Sequence, residues 1–328
     1  MRILFIAPSP PNSMSRIRTQ NIIKAMQSLG HDVTLISFVY SKKDLVEINK
    51  CKEYIEKVYT VEQPKWKSIL NCAWGLVLPV PLRVLYCRSK KFANLLKSII
   101  KSDDFDLVYI KRLRMAQYAK VPKEFGIQTI IDITDSLTKY YDRIRVKEHG
   151  LKKLLAIEEY YKHRLYEPHI CKQSAPIIIC SDSDKEYLVN ISQELSSNIY
   201  VMHNSIETSE WKTEIHHCAS EGNRHRLVFF GMMDYAPNIL AAQFLITEVM
   251  PLLPTGYSLE LVGANCGDDL RALGNERIHF TGFVEDMKKA LQNNDLFVCP
   301  ILAGSGVKNK ILQASMAGLP IVSTELGV

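Results

Sequence analysis

Short apolar runs alternate with helix-forming segments along this chain, and the alternation constrains the fold more than any other feature. The first series of strand-like runs covers residues 3–7, 32–38, 57–61, 107–110, 129–133, 177–180 and 199–202. The second series covers residues 227–230, 258–262, 278–281, 296–299 and 321–323. Alternating strands and helices are typical of parallel sheets covered by helices. We therefore predict an α/β fold built on parallel sheets.

A polar stretch, residues 208–226, separates the two series and predicts a linker. A chain of 328 residues usually forms more than one domain. We predict an N-terminal lobe over residues 1–205 and a C-terminal lobe over residues 206–328, with a ligand-binding cleft between them. A long charged helix is predicted over residues 148–167, ended by Pro168.

Composition and charge limit the classes of partner that the protein could bind and the cellular compartment in which it would fold. The net charge of +6 is moderate and no nucleic-acid motif accompanies it, so we expect no nucleic acid partner. The eight cysteines are scattered without a Cys-x-x-Cys pair, and no secretory leader is evident, which together predict reduced thiols in the cytoplasm. Residues 69–87 are apolar, but Pro79, Pro81 and Arg83 argue against a spanning helix. An exposed apolar surface flanked by lysines, able to contact a membrane, and a buried core segment both remain open.

Residues 300–327 predict a strand, a glycine-rich turn, a helix and a second strand. Gly304, Ser305 and Gly306 leave the start of the helix unshielded, and free backbone N–H groups there favour an anion such as phosphate. Lys308 and Lys310 lie at the same end, where a bound anion would offset their charge. An ordinary buried helix with solvated lysines is the alternative.

Four segments carry a resemblance to a known family. The N-terminal segment reads PSPPNSMSRIRTQNIIKAMQSLGHDVTLIS. The C-terminal segments read LVFFGMMDYAPNILAAQFLITEVMPLLP, IHFTGFVEDMKKAL and GSGVKNKILQASMAGLPIVST, in that order. Together they resemble the retaining glycosyltransferases of family 4, and within them the bacterial transferases of exopolysaccharide and glycan assembly. The resemblance implies the GT-B fold, in which two Rossmann-like lobes face a cleft.

The resemblance implies a nucleotide-sugar donor, linked to UDP or GDP, on the C-terminal lobe. Its diphosphate would meet the glycine turn and Lys310, and Gln313 would lie near the ribose. The donor-binding residues implied in this way are Gly231, Asp234, Tyr235, Asn238, Phe283, Val284, Gly304, Ser305, Gly306, Lys308, Lys310 and Gln313.

On the N-terminal lobe the resemblance implies catalytic roles for Arg16, Asp132 and Asp135, and an acceptor-side role for Arg18. The two arginines could instead begin a solvated helix, and the two aspartates could cap one. The resemblance also implies that positive side chains and backbone amides, rather than a bound metal or a cofactor, neutralise the diphosphate.

The sequence departs from the family pattern in several places. Ser305 and Gln313 stand where many members have a pair of glutamates, and glutamine carries no charge. The sequence also ends before the last strand and helices of the family, which predicts a truncated C-terminal lobe, as a fragment or as a natural form. We predict a glycosyltransferase that moves a sugar to a lipid-linked or polysaccharide acceptor in the cytoplasm, with peripheral contact to the membrane. An inactive, binding-only subunit and a nucleotide-sugar epimerase are the alternatives.

Overall fold

The computed structural model describes residues 1–12, 17–75, 78–173, 176–211, 225–302 and 309–327. The chain divides into two compact units, Met1–His203 and Asn204–Val328. Each unit is built on a sheet whose paired strands are parallel. The predicted α/β fold with parallel sheets is therefore confirmed.

The N-terminal unit contains a seven-stranded sheet within the described residues. In chain order its strands are β1 (Arg2–Ala7), β2 (Asp32–Val39), β3 (Lys57–Glu62), β4 (Leu107–Lys111), β5 (Gln128–Thr134), β6 (Ile177–Ile179) and β7 (Ile199–Val201). They lie in the spatial order β3-β2-β1-β4-β5-β6-β7. The helices around this sheet are α1 (Ile17–Ser28), α2 (Lys42–Cys51), α3 (Lys65–Gly75), α4 (Leu82–Tyr86), α5 (Lys90–Ser102), α6 (Lys120–Glu124), α7 (Leu137–Lys147), α8 (Gly150–Gln173) and α9 (Asp182–Ile191).

Both faces of this sheet are buried, which explains why its strands read as continuous apolar runs. In β1, Leu4 and Ile6 belong to one core cluster, whereas Ile3 and Phe5 belong to another. Side chains alternate between the two faces of a strand, so the clusters lie on opposite sides of the sheet. Phe5 stacks on Tyr109 of the neighbouring strand with ring centroids 4.9 Å apart.

The C-terminal unit repeats this plan on a smaller scale. Its described strands are β8 (His225–Phe230), β9 (Tyr257–Val262), β10 (Ile278–Gly282), β11 (Leu296–Cys299) and β12 (Ile321–Ser323), in the spatial order β10-β9-β8-β11-β12. Its described helices are α10 (Ala236–Phe244), which continues as a π-helical turn, α11 (Asp268–Arg271), α12 (Met287–Gln292) and α13 (Asn309–Met316).

The strand order of each sheet reverses once, and this reversal locates the candidate sites. In the N-terminal sheet the chain adds strands on one side of β1 and then crosses to β4 on its other side. In the C-terminal sheet the same crossing occurs between β8 and β11. Ligands of open parallel sheets bind beyond the carboxyl ends of the strands at such a switch point.

Helix α8 corrects one expectation, because it continues past Pro168 to Gln173. Both sides of the proline are held by tertiary contacts. The Glu167 carboxylate accepts hydrogen bonds from the backbone N–H groups of Leu137 and Thr138 at 3.1 and 3.0 Å. On the other side, the carbonyl oxygen of Cys171 accepts from the Asn198 amide at 2.8 Å. These contacts oppose the tendency of an internal proline to end a helix.

For the apolar stretch over residues 69–87, the sequence left two alternatives open, an exposed apolar surface and a buried core segment. One part of the stretch fits each of them. Val84 and Leu85 of α4 are buried, as a core segment would be. In contrast, Ile69 and Leu70 of α3 are 62% and 52% exposed, and Trp66 beside them is 58% exposed. The stretch therefore contributes both to the core and to an apolar surface.

In the C-terminal unit the ends of β8, β9 and β10 lie close to one another, at Gly231, Gly263 and Gly282. The N–H group of Gly263 donates to the carbonyl of Gly282 at 2.8 Å, and that of Gly231 donates to the carbonyl of Val262 at 3.0 Å. A Cβ atom on Gly263 would lie 1.8 Å from the carbonyl oxygen of Gly231. Only glycine fits this position, because the atom in its way belongs to backbone.

We predict that Gly263→Ala destabilises the C-terminal unit by about 3 kcal/mol, at the upper end of overpacking costs. Gly267→Ala is the matched control, since a Cβ atom there meets nothing within 4 Å. We expect the control to cost less than about 1 kcal/mol, the typical cost of an alanine at the start of a helix. Scanning calorimetry of both variants measures the difference, and equal thermal midpoints would contradict the steric argument.

Candidate functional site

Asp132 forms the centre of a buried polar cluster in the N-terminal unit. It lies near the end of β5 and is 0% exposed. Its Oδ2 accepts from the Lys111 ammonium at 2.7 Å and from the Tyr109 hydroxyl at 2.8 Å. The Arg18 guanidinium donates to the same oxygen at 3.4 Å, and the Thr134 hydroxyl donates to Oδ1 at 2.9 Å. One carboxylate thus connects α1, β4 and β5.

The charges in this cluster set its protonation states. Burial alone would raise the pKa of Asp132, but the charges of Lys111 and Arg18 outweigh it and hold that pKa below its usual value. Burial lowers the pKa of Lys111 to about 8, and the positive charges of Arg18 and Arg112 act in the same direction. Asp132 is therefore ionised at neutral pH and Lys111 is mainly charged.

The backbone around the cluster is strained at two positions. Arg112 follows β4 with φ of 75°, and Thr134 ends β5 with φ of 70°. Both angles lie in the left-handed region, which a β-branched residue such as Thr134 rarely adopts. Such conformations persist only where the surrounding structure holds them, and they are concentrated at functional sites.

A pocket of about 330 Å³ opens beside the cluster, at the switch point of the N-terminal sheet. Its wall comes from the segments that follow β1 and β4, together with parts of α1, α4, α7 and β5. The lining residues are Pro8, Ser9, Thr19, Arg83, Lys111, Arg112, Leu113, Arg114, Ile133 and Leu137. No acidic side chain lines it among the described residues.

Asp135 lies three residues after Asp132, just beyond the end of β5, and has its own partners. The Arg112 guanidinium donates to it at 3.2 Å, and the Cys180 thiol donates at 3.1 Å. Arg112 also donates its backbone N–H to the Asp132 carbonyl at 2.7 Å, so it links the two predicted aspartates.

Among the described residues, Asp135, Cys180 and Asp184 have ligand atoms close enough to hold a metal ion, within 4.8 Å of one another. Two cations already balance their charge. Arg112 pairs with Asp135, and the Lys139 ammonium lies 2.9 Å from Asp184. Because a metal ion would have to displace these cations, the donor set fits one poorly.

Lys310 lies at the switch point of the C-terminal sheet, in the first turn of α13. Its ammonium donates to the Asn238 side-chain oxygen at 2.8 Å and lies 4.5 Å from the centre of the Phe229 ring. The Asn238 amide donates to the Met232 carbonyl at 2.8 Å. A Cβ atom on Gly231 would lie 2.5 Å from this amide, so the glycine lets Asn238 approach the strand end. Three predicted donor-binding residues, Gly231, Asn238 and Lys310, are thus brought together.

The other predicted donor-binding residues in the described part of the C-terminal unit are more exposed. The Asp234 carboxylate accepts from the Asn265 amide at 2.8 Å. Tyr235 is 50% exposed and Phe283 is 55% exposed. Val284 packs partly against the core, and Gln313 is half-buried on α13.

Five predicted site residues lie outside the described residues: Arg16, Gly304, Ser305, Gly306 and Lys308. Their predicted roles stay predictions. Arg18, by contrast, is 8% exposed and donates to the His203 carbonyl at 3.1 Å as well as to Asp132.

The sequence analysis missed several residues of the N-terminal site, above all Lys111, Arg112 and Arg114. One signal was available, because a Lys-Arg-Leu-Arg run follows directly after the predicted strand over residues 107–110. Basic side chains at the carboxyl end of a parallel strand point to an anion site. Asn265 was missed as well, and nothing in its local sequence indicates its contact with Asp234.

Comparisons with known proteins agree with this architecture. A family model described as Glycosyl transferases group 1 matches residues 224–328. HepE of Anabaena, solved in complex with UDP, is 15% identical with a TM-score of 0.67, and the match covers 100% of this chain and 81% of that chain. Sucrose-phosphate synthase of Thermosynechococcus elongatus is 13% identical with a TM-score of 0.67, covering 100% and 82%. The lipopolysaccharide outer core galactosyltransferase WaaB is 15% identical with a TM-score of 0.63, covering 100% and 82%.

At these identities the structural likeness establishes the fold, which is that of the GT-B glycosyltransferases. No curated protein matches the sequence. Within the described residues, no helix is both long and apolar enough to span a bilayer.

We predict that Asp132→Asn destabilises the N-terminal unit by about 3 kcal/mol or more, because it leaves the Lys111 and Arg18 charges buried without their counter-charge. The thermal midpoint should fall by roughly 6–12 °C for a unit of this size. Adding Lys111→Met should recover part of the loss, since it removes one of the stranded charges. Asp104→Asn is the control, because the Asp104 side chain is 96% exposed in its pair with Arg2. An equal effect of the two single substitutions would refute the assigned role of the buried cluster.

Proposed function

We propose that this protein is a glycosyltransferase that moves a sugar from a nucleotide-diphosphate donor to a lipid-linked or polysaccharide acceptor. Two findings support the reaction class: the family match over residues 224–328 and the GT-B fold of the whole chain. The observation that carries the proposal is the position of Lys310, whose ammonium is held by Asn238 at the switch point of the C-terminal sheet.

We assign the donor to this point of the C-terminal unit. Cations and backbone amides fixed in advance stabilise a leaving diphosphate, because negative charge develops on it in the transition state. Asn238 and the Phe229 ring position the Lys310 ammonium for this role. Gly304, Ser305, Gly306 and Lys308 belong to the same proposal from the sequence. The UDP complex of HepE makes a uridine nucleotide the first donor to test, with GDP as the alternative.

Lys310 supplies positive charge of the kind that a metal ion would otherwise bring, so the proposed reaction uses no metal and no cofactor. The proposed retaining outcome follows from the family resemblance. Asp132 receives a positioning role here, because its carboxylate is fully buried and holds Lys111 and Arg18 rather than facing a substrate.

We also propose that α3 brings the protein to an anionic membrane surface. Trp66, Ile69 and Leu70 of this helix are more than half exposed, and Lys65 and Lys67 lie in its first turn. An apolar face beside lysines binds at the interface of a bilayer that contains anionic lipid. A cytoplasmic location agrees with the seven described cysteines, none of which forms a disulfide bond.

Donor binding is tested by calorimetry with UDP and with GDP. Lys310→Met removes the charge but keeps an apolar chain over Phe229, so the fold should be retained. We expect the binding free energy to weaken by about 1–3 kcal/mol, the range for a charge-assisted contact, so that affinity falls roughly fivefold to 150-fold.

Lys289→Met is the matched control for donor binding, since the Lys289 side chain is 82% exposed on α12 of the same unit. Unchanged nucleotide affinity in a folded Lys310→Met variant would overturn the donor assignment. Nucleotide binding without any sugar transfer would favour the binding-only alternative, and sugar interconversion without an acceptor would favour an epimerase.

Membrane contact is tested by sedimentation with phosphatidylcholine vesicles, prepared with and without phosphatidylglycerol. We expect binding to the anionic vesicles only, and a loss of about tenfold when Ile69 and Leu70 are both changed to Ser, from the lost apolar burial. Leu252→Ser is the control, because Leu252 is 84% exposed in the other unit. Equal binding to both kinds of vesicle, or an equal effect of the control, would rule out α3 as the contact.

A further inference from the structure

The pocket at the switch point of the N-terminal sheet has no part in the donor assignment, and its charge is unbalanced. Four basic side chains line it, Arg83, Lys111, Arg112 and Arg114. Two of them pair with carboxylates: Lys111 lies 2.7 Å from Asp132, which also pairs with Arg18 away from the pocket wall, and Arg112 lies 3.2 Å from Asp135. Four cations less two leaves two positive charges on the wall.

The two remaining cations are Arg83 and Arg114, and neither forms an ion pair with a carboxylate of the described residues. The Nε atom of Arg114 is buried without a hydrogen-bond partner. Burial lowers the pKa of Arg114, the nearby Cys87 opposes this, and Arg112 and Arg83 lower it further because like charges repel. Two positive charges without paired carboxylates on the wall of one pocket favour an anionic ligand, because an anion would offset their mutual repulsion.

Arg83 is held in place by aromatic rings. Its guanidinium carbon lies 5.5 Å from the ring centre of Tyr140 and 5.8 Å from that of Tyr141. Stacking on aromatic faces fixes the plane of a guanidinium while leaving its N–H groups available to an anion. Ser9 and Thr19 add hydroxyl donors to the wall of the pocket.

We propose that this pocket binds a phosphate or diphosphate group carried by the acceptor. The proposal rests on the proposed function, since it names the chemistry of the acceptor. The two surplus charges match a phosphate group of charge about −1.5 to −2 better than a single carboxylate. Arginine forks bind phosphate oxygens in pairs, and a volume of about 330 Å³ lies at the small end for ligand pockets.

The site also explains the buried cluster beside it. Asp132 cancels the charge of Lys111 and holds this buried side chain at the end of β4, directly before the segment that carries Arg112 and Arg114. The left-handed conformation of Arg112 directs the chain from β4 into the segment that carries Arg114. The strained backbone at Arg112 therefore helps to place the basic side chains around the pocket.

The test is calorimetry on the full-length chain saturated with UDP, titrated with inorganic pyrophosphate and, separately, with geranyl diphosphate. We expect both probes to bind while UDP stays bound. Arg83→Gln and Arg114→Gln should each weaken both probes by about tenfold or more and leave UDP affinity unchanged. Arg2→Gln is the control, because Arg2 lies at the amino end of β1, whereas the pocket lies beyond its carboxyl end, and the substitution should change neither affinity.

Each outcome decides the proposal. Unchanged pyrophosphate affinity in both arginine variants, or competition between pyrophosphate and UDP for one site, would overturn the pocket. Binding of pyrophosphate but not of geranyl diphosphate would overturn the acceptor as the source of the phosphate. If Arg114→Gln does not fold, Arg83→Gln decides, because Arg83 is exposed. Absence of binding of both UDP and GDP, with normal binding of both probes, would refute the proposed function and leave the pocket standing.

Discussion

The N-terminal unit depends on one buried carboxylate, Asp132. Removing its charge from water is costly, and the cost is offset only because Lys111, Arg18, Tyr109 and Thr134 all donate to it. These donors come from α1, β4 and β5, so the cluster fixes where three elements end or begin. The basic segment after β4 follows from the same arrangement, which makes the buried ion pairs a condition for the pocket as well as for the fold.

The sequence was sufficient for the architecture because the central strands of both sheets are buried on two faces. Strand β1, for example, is apolar at every position after Arg2, and such runs between helices predict parallel sheets from local pattern alone. The prediction that a helix ends at Pro168 is wrong because tertiary contacts outweigh the local sequence there. Local chemistry favours an end there, but contacts of Glu167 and Cys171 with distant residues hold the helix across it.

The candidate site could be predicted only in part, for a similar reason. Gly231, Asn238 and Lys310, which the structure brings together, were predicted because they fall within motifs that resemble a known family. Arg83 lies 28 residues before Lys111 and reaches the same pocket only through the fold. The charge of a basic residue is neutralised by carboxylates that the fold brings from other strands. The spacing of residues in the sequence does not show which of these ion pairs will form. The surplus charge of the pocket is therefore a property of the structure.

The two units place cations at equivalent points of the same topology, and they hold them differently. In the N-terminal sheet, Lys111 ends β4 beside a buried carboxylate that cancels its charge. In the C-terminal sheet, Lys310 follows β11 and is held by an amide oxygen and an aromatic ring. A neutral partner orients an ammonium without cancelling its charge, whereas a carboxylate does both. In the N-terminal unit the attraction for an anion therefore depends on the neighbouring arginines, and a substitution at Lys111 should matter there mainly through the position of those side chains.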